Sequence, residues 1–306
     1  MKNKITVIGA GNVGAECARS IVQKSLANVV LLDIVPGVPQ GKALDLMQAG
    51  SINGYNTKII GTNDYADTKD SDIVIITAGL ARKPGMSRDD LQKMNAGIIK
   101  ACVDNTIKYS SNCILLIVTN PLDTMTYWAH KLSGFPANRV LGMAPLLDAA
   151  RMAAFIAMEL NVDVTEVKTA VMGTHGDLMV PVPSQTTVSG KPVAGLMAKD
   201  KLEAIIKRTQ DGGAEIVNLL KTGSAYYAPA AAAAHMAEAI IKDKQEIIYS
   251  SVLANGQYGL KDLYIGLPAK LGKNGVESII EIQLTSEETT ALNRSAQAIK
   301  ENNAKL

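Results

Sequence analysis

The sequence has almost no surplus of charge: 31 Lys and Arg against 29 Asp and Glu leave a formal +2 over 306 residues. A protein that tracks nucleic-acid phosphates needs a basic stripe, and this balance supplies none. The low apolar content and high net charge that disorder requires are missing too, since 47% of the residues are apolar and 20% are charged. No apolar run approaches the ~18 residues of a membrane-spanning helix. The short run that follows Met1-Lys2-Asn3-Lys4 is no signal-peptide core. Cysteine is scarce and scattered: Cys17, Cys102 and Cys113 form no C-x-x-C pair and no cluster with histidine. Neither a disulfide framework nor a metal site is indicated, and the expectation is three reduced thiols in the cytoplasm. Among the bases, arginine is the rare one, seven residues against twenty-four lysines.

The chain is long enough for about two domains of 100–200 residues each. Short apolar runs at 4–9, 28–33, 57–61, 71–79 and 113–119 alternate with helical patterns at 13–24, 38–49, 88–108 and 121–133. Several runs are apolar at consecutive positions, as in parallel strands buried on both faces. The pattern predicts an α/β fold with a doubly wound parallel sheet. The second half reads as α+β. A helix at 145–160 precedes a strand near 167–172, two helices around 201–220 and an alanine-rich helix at 229–241. Strands near 246–254, 262–270 and 276–284 and a closing helix at 285–303 complete it. Gly142 and Pro145 bracket the join, dividing the chain into 1–143 and 144–306.

Gly9-Ala10-Gly11-Asn12-Val13-Gly14 fits G-x-G-x-x-G after a strand and at a helix start. Gly9 permits the tight turn, Gly11 the approach of a pyrophosphate and Gly14 close helix–strand packing, with free helix N–H groups facing the anion. Asp33 ends the second strand 19 residues after Gly14, where an acid accepts from an adenosine ribose. No base follows until Lys42, which favours NAD over NADP.

Three of the seven arginines fall at presumptive strand ends and helix starts. Arg82 and Arg88 lie in a loop, 79–88, whose ends suit a lid. Arg151 shares a helix face with Asp148, three residues earlier. Arginine's planar fork matches carboxylates better than the point charge of lysine, so an anionic substrate is expected. Taken alone, Asp148 and Arg151 read first as an exposed i,i+3 ion pair worth a few tenths of a kcal/mol. Of the three histidines, His130 reads as structural and His235 as core or interface. His175, between Thr174 and Gly176 after a buried-type strand, is the natural proton carrier.

The motifs GAGNVG (9–14), LLD (31–33), TAGLARKPGMSRDDL (77–91), VTNPLD (118–123), LDAAR (147–151), THGD (174–177) and YGLKDLYIGLPAKLGKNGVE (258–277) occur in one order along the chain. Together they resemble the lactate/malate dehydrogenase family, in its NAD-dependent malate dehydrogenase branch, over essentially the whole chain. The resemblance implies a Rossmann-type NAD-binding domain followed by an α+β substrate and catalytic domain. It implies reversible oxidation of malate, a place in the tricarboxylic acid cycle, and a homodimer or homotetramer.

Roles follow for the matching positions. His175 would take the hydroxyl proton, and Asp148 would hold its tautomer and stabilise its imidazolium. Arg151 would fork the carboxylate beside the reacting carbon, Arg88 would polarise the carbonyl and Arg82 would pair with the far carboxylate. Asn120 would bond the substrate oxygen beside the nicotinamide, Val118 and Thr119 would line the cofactor cleft, and Asn95 would touch the cofactor, with Gly9, Ala10, Gly11, Asn12, Val13, Gly14 and Asp33 at its other end. Related lactate dehydrogenases carry glutamine where Arg82 stands. Closing on pyruvate would leave Arg82 unpaired, at about 3–5 kcal/mol.

Two departures stand out. Pro145 with Leu146 or Leu147 replaces a usual glycine-valine before Asp148, and Thr174 replaces a usual glycine before His175. Neither removes a chemical group. Lactate or another 2-hydroxy acid is the alternative substrate, and a non-catalytic NAD-binding sensor the alternative class. Leu44, Leu46 and Met47 on helix 38–49 serve equally as an interface or as core.

Overall fold

The computed structural model describes residues 3–80 and 87–306. The first half runs β1 (Lys4–Ile8), α1 (Asn12–Gln23), β2 (Asn28–Leu32), α2 (Val38–Asn53), β3 (Ile59–Thr62) and β4 (Ile73–Ile76). It continues through α3 (Arg88–Tyr109), β5 (Ile114–Ile117), α4 (Leu122–Ser133) and β6 (Val140–Gly142). Consecutive apolar residues serve opposite faces of one sheet. On β4, Ile73 and Ile75 join a buried cluster with Ile5, Val7 and Leu31, while Val74 and Ile76 join another with Ile8 and Leu115. A sheet covered on both sides needs apolar residues at every strand position, which accounts for the unbroken runs.

The strands lie in the order β3-β2-β1-β4-β5-β6, all paired parallel. This is the Rossmann-type arrangement. Strand order reverses between β1 and β4, so the ligand crevice of such a sheet lies beyond their carboxyl ends.

The second half runs α5 (Ala144–Leu160), β7 (Val167–Lys168), β8 (Val171–Gly173), β9 (Met179–Pro181), β10 (Thr187–Val188), β11 (Lys191–Pro192) and α6 (Lys199–Leu220). Then come α7 (Tyr227–Ile241), β12 (Glu246–Asn255), β13 (Lys261–Gly272), β14 (Gly275–Ile279) and α8 (Ser286–Asn303). The main sheet does not stop at the join. Ser251 of β12 pairs antiparallel with Gly142 of β6, and Gly266 of β13 with Gly173 of β8. One sheet therefore carries the first half's crevice and the second half's β8 turn side by side.

Three elements differ from the sequence reading. The two helices expected around 201–220 are one, α6, which runs through Gly212 and Gly213. A Cβ on Gly212 would lie 3.3 Å from Arg151 Cδ, so these glycines admit the Arg151 side chain against α6. The strand expected at 167–172 is two, because the chain changes sheet: β7 pairs with β10 and β8 with β13. The strand expected at 276–284 ends at Ile279, and the Ile282 N–H is taken by the Tyr258 hydroxyl at 2.8 Å. All three cysteines are free and buried. Burial, with the Glu16 charge beside it, pushes the Cys17 thiol up to about 12, and burial also raises Cys102 to about 11 and Cys113 to about 12. These thiols are unreactive near neutral pH. Among the described residues no helix is long and apolar enough to cross a membrane, and no group of side chains is placed to hold a metal.

Candidate active site

The loop after β1 is built by close approach. Gly9 has φ +103°, and a Cβ there would lie 2.7 Å from Ala78 N and Thr77 Oγ1. A Cβ on Gly14 would fall 1.8 Å from the Gly9 carbonyl oxygen. The loop, the first turn of α1 and the end of β4 close on one another only because both residues lack side chains. Gly11, by contrast, has nothing within 4 Å of a Cβ position, and no side chain caps α1. The N–H groups of that first turn, at Asn12, Val13 and Gly14, are left to an incoming anion.

Asp33 closes the far side of the loop. Its Oδ2 accepts from the Ala10 N–H at 2.6 Å and its Oδ1 from the Val35 N–H at 3.0 Å. Lys42 of α2 donates to the Ala10 carbonyl at 2.6 Å. The fold thus brings a base onto the residue that Asp33 grips, a neighbour not visible along the chain. An uncapped helix end, glycines at the contact points and a strand-end carboxylate fit a dinucleotide, with pyrophosphate at α1 and ribose at Asp33.

The second cluster joins α5 to the turn after β8. His175 Nδ1 lies 2.8 Å from Asp148 Oδ2, and Arg151 Nη1 donates to Asp148 Oδ1 at 3.3 Å. Asp148 is only 1% exposed and Arg151 13%, so this is no surface ion pair. With a carboxylate at Nδ1, that nitrogen carries the proton, leaving Nε2 as the basic atom. Burial pushes the His175 pKa down, the Asp148 charge and hydrogen bond push it up, and Arg151 lowers it while Asp123 raises it. The net direction is upward. Arg151 Nε is buried with no partner among the described residues.

His175 and Arg151 share one cavity of about 300 Å³, which Val13, Val118 and Asn120 also line. His175 and Asn120 also line a neighbouring cleft of about 500 Å³ with Arg88 and Asp177. The tail of the glycine loop and the histidine cluster therefore open on the same space.

A family model for the lactate/malate dehydrogenase NAD binding domain matches residues 3–142, and one for the lactate/malate dehydrogenase alpha/beta C-terminal domain matches residues 146–306. The chain belongs to the lactate/malate dehydrogenase family. Its N-terminal half is an NAD-binding domain, NAD is its cofactor and the protein is an NAD-dependent dehydrogenase. A malate dehydrogenase from Synechocystis is 54% identical, over 98% of this chain and 92% of the relative. Among solved structures, Cryptosporidium parvum malate dehydrogenase superposes with TM-score 0.97 at 42% identity, covering 99% of this chain and 98% of that one. The lactate dehydrogenase of the same organism, complexed with lactic acid and the NAD cofactor, gives 0.96 at 41% identity, covering 99% and 98%. Overall shape is thus common to both branches and does not choose the substrate.

The other residues singled out in the sequence have definite places. Thr119 donates to the Ala78 carbonyl at 2.7 Å and is buried. Asn95 is fully buried: its Oδ1 accepts from the Leu80 N–H at 2.8 Å, and its Nδ2 donates to the Asn120 carbonyl at 2.7 Å. It braces Asn120 and the segment leaving β4. Arg88 opens α3 behind a capping box of Ser87 and Asp90, and its Nη2 donates to Asp177 Oδ2 at 2.8 Å. Arg82 lies outside the described residues. His130 packs in α4 beside Tyr264. His235 is half-buried rather than core, with its Nε2 2.8 Å from Glu246 Oε1 on β12.

Asp123 went unmarked in the sequence, where an acid in a helix's first turn signals no more than a favourable dipole. In the fold its carboxylate accepts from the His175 N–H.

Proposed function

We propose that the chain catalyses the reversible NAD-dependent oxidation of (S)-malate to oxaloacetate, with His175 as proton carrier. The 2.8 Å His175–Asp148 pair carries this reading, because His175 lines a cavity that Val13 and Val118 line from the cofactor side. NAD, when bound, supplies the acceptor for the hydride leaving C2 of malate. His175 takes the hydroxyl proton at Nε2 and returns it in the reverse direction. Asp148 keeps the imidazole in the tautomer that leaves Nε2 basic and stabilises the imidazolium. Arg151, braced by Asp148 and by the close face of α6, offers its fork to the C1 carboxylate. Arg88 stabilises negative charge developing on the substrate oxygen, and Asn120 donates to that oxygen.

Malate is favoured over lactate because of Arg82, which would pair with the second carboxylate. A sensor needs only the region from Gly9 to Asp33, whereas this chain keeps Asp148 hydrogen-bonded to both His175 and Arg151, which line one cavity. One assay tests the reading: loss of NADH absorbance with oxaloacetate, with pyruvate and NADPH as controls. Rapid turnover of oxaloacetate with NADH alone is expected. Absence of turnover by folded protein returns the sensor, and a preference for pyruvate returns the lactate branch.

The same reading divides the chain at residues 143 and 144 into cofactor and substrate domains and places the enzyme in the cytoplasm. It makes the assembly a homodimer or homotetramer. Leu44 and Met47, 55% and 52% exposed on the single chain, favour an interface role, whereas Leu46 packs against the core.

A further inference from the structure

Asp123 is a carboxylate 3% exposed, in the first turn of α4, three residues past Asn120. Its Oδ2 accepts from the His175 backbone N–H at 2.9 Å and the Thr174 hydroxyl at 2.8 Å, and its Oδ1 accepts from the Ser251 hydroxyl of β12 at 2.7 Å. The turn is gripped from a third side as well, where the Thr174 N–H donates to Ser295 Oγ of α8 at 2.6 Å. Burying a carboxylate costs several kcal/mol unless donors replace its water. Here three donors offset part of that cost, two of them from the turn that carries His175, while burial still holds the Asp123 carboxyl above the usual carboxylate range.

The placement is what gives these bonds a function. Residues 118–123 are one short segment leaving β5: Val118 and Asn120 line the cavity, and Asp123 holds the histidine. We propose that Asp123 is a positioning residue, which sets the height of His175 over the cofactor cleft while Asp148 sets the angle of its ring. The proposal rests on the reading of His175 as the proton carrier. It makes the acid–base group and the cofactor-lining segment move as one body, although they belong to opposite halves of the chain. Thr174, where the resemblance leads one to expect glycine, supplies one of the grips through its hydroxyl.

The charge of Asp123 acts as well as its shape. The groups facing His175 are Asp148 and Arg151 from α5 and Asp123 from α4, with Asp177 two residues on and Arg88 opposite on α3. Asp123 and Asp148 both favour the imidazolium, and Arg151 opposes it.

Four variants test this: Asp123→Asn, Asp123→Ala, Thr174→Val and, as reference, His175→Gln. The readouts are kcat, KM for oxaloacetate, NADH affinity by fluorescence and the pH profile of oxaloacetate reduction. Asp123→Asn keeps an acceptor oxygen and loses the charge, so its activity should fall away with rising pH earlier than in the parent. Asp123→Ala should lower kcat by about ten- to a hundredfold, the cost of a small misplacement, with NADH affinity retained. Should that variant fail to fold, Thr174→Val keeps the shape, removes one grip and should lower kcat by about threefold or more. Unchanged kcat in Thr174→Val and an unchanged pH profile in Asp123→Asn overturn the proposal while an inactive His175→Gln upholds the underlying reading. A His175→Gln variant that still turns over overturns that reading itself.

Discussion

Arg88 and Asp177 form an ion pair at 2.8 Å, two residues beyond His175, with side chains 76% and 69% exposed. Such a pair is worth about 0–1 kcal/mol. Its interest lies in what it competes with. An arginine held by Asp177 has to exchange that partner for a substrate oxygen, so Asp177 acts against the anionic substrate at Arg88. Asp177→Asn is expected to lower KM for oxaloacetate by about two- to fivefold at low salt. The gain should shrink as salt screens the exposed charges. Steady-state kinetics at two ionic strengths check this, and a raised KM would show that the pair supports Arg88 instead.

Substrate choice is expected to follow Arg82. Replacing it by glutamine removes the cation that a pyruvate methyl group would strand. The oxaloacetate-to-pyruvate ratio of kcat/KM should fall by about a hundredfold or more, from the 3–5 kcal/mol cost of an unpaired buried charge. A ratio that stays put would dissociate Arg82 from specificity.

Cofactor choice involves Lys42, whose place beside the Asp33 grip only the fold reveals. Asp33 and Lys42 meet through Ala10, one at its N–H and the other at its carbonyl. Removing the acid in Asp33→Ser should cost NADH about tenfold in kcat/KM. NADPH should gain, because the acid that repels a 2′-phosphate is gone while the Lys42 ammonium stays on the neighbouring Ala10 carbonyl. Adding Lys42→Met should erase the NADPH gain, and competition kinetics with the two cofactors distinguish these outcomes.

Stability should respond to acid through Glu238. This residue of α7 meets Lys24 at 2.7 Å, Lys244 at 3.0 Å and Lys242 at 3.1 Å. The hydrogen bond from Lys24 leads the causes that hold its pKa at about 2, against 4.5 for a free glutamate, while its partial burial opposes them. A carboxylate with a depressed pKa stabilises the fold fully above its unfolded value. That contribution should be lost as pH falls from about 4.5 toward 2. Glu238→Gln should lower Tm at pH 7 by a few degrees, for about 2 kcal/mol of lost charged hydrogen bonds, and the difference should vanish in strong acid. Thermal melts across this range measure it.

Much of this was legible in local pattern. The strands of the first half announced themselves because a sheet covered on both faces requires unbroken apolar runs. Gly9 and Gly14 were legible because a close approach within six residues leaves no alternative to glycine, whereas the space beside Gly11 is open. The small sheet of β7, β10 and β11 was not, since strands of two residues carry no period. Nor was α6, expected as two helices, where the pair Gly212 and Gly213 seats the Arg151 side chain.

The chain's own order was enough to fix the fold class and to single out the glycine loop and the histidine, acids and arginines proposed for acid–base and carboxylate chemistry. Those traits reside in neighbours along the chain, where backbone geometry and side-chain period act directly. Which groups face one another was decided by the sheet. Asp148 reaches His175 across 27 positions and Asp123 across 52, because β8 lies in register with β13, and β13 beside β12, in the sheet that also holds β6. Asp177 on Arg88, Lys42 on Ala10 and Glu246 on His235 have the same origin. Partners of this kind depend on strand order and helix crossing, and spacing along the chain does not encode them.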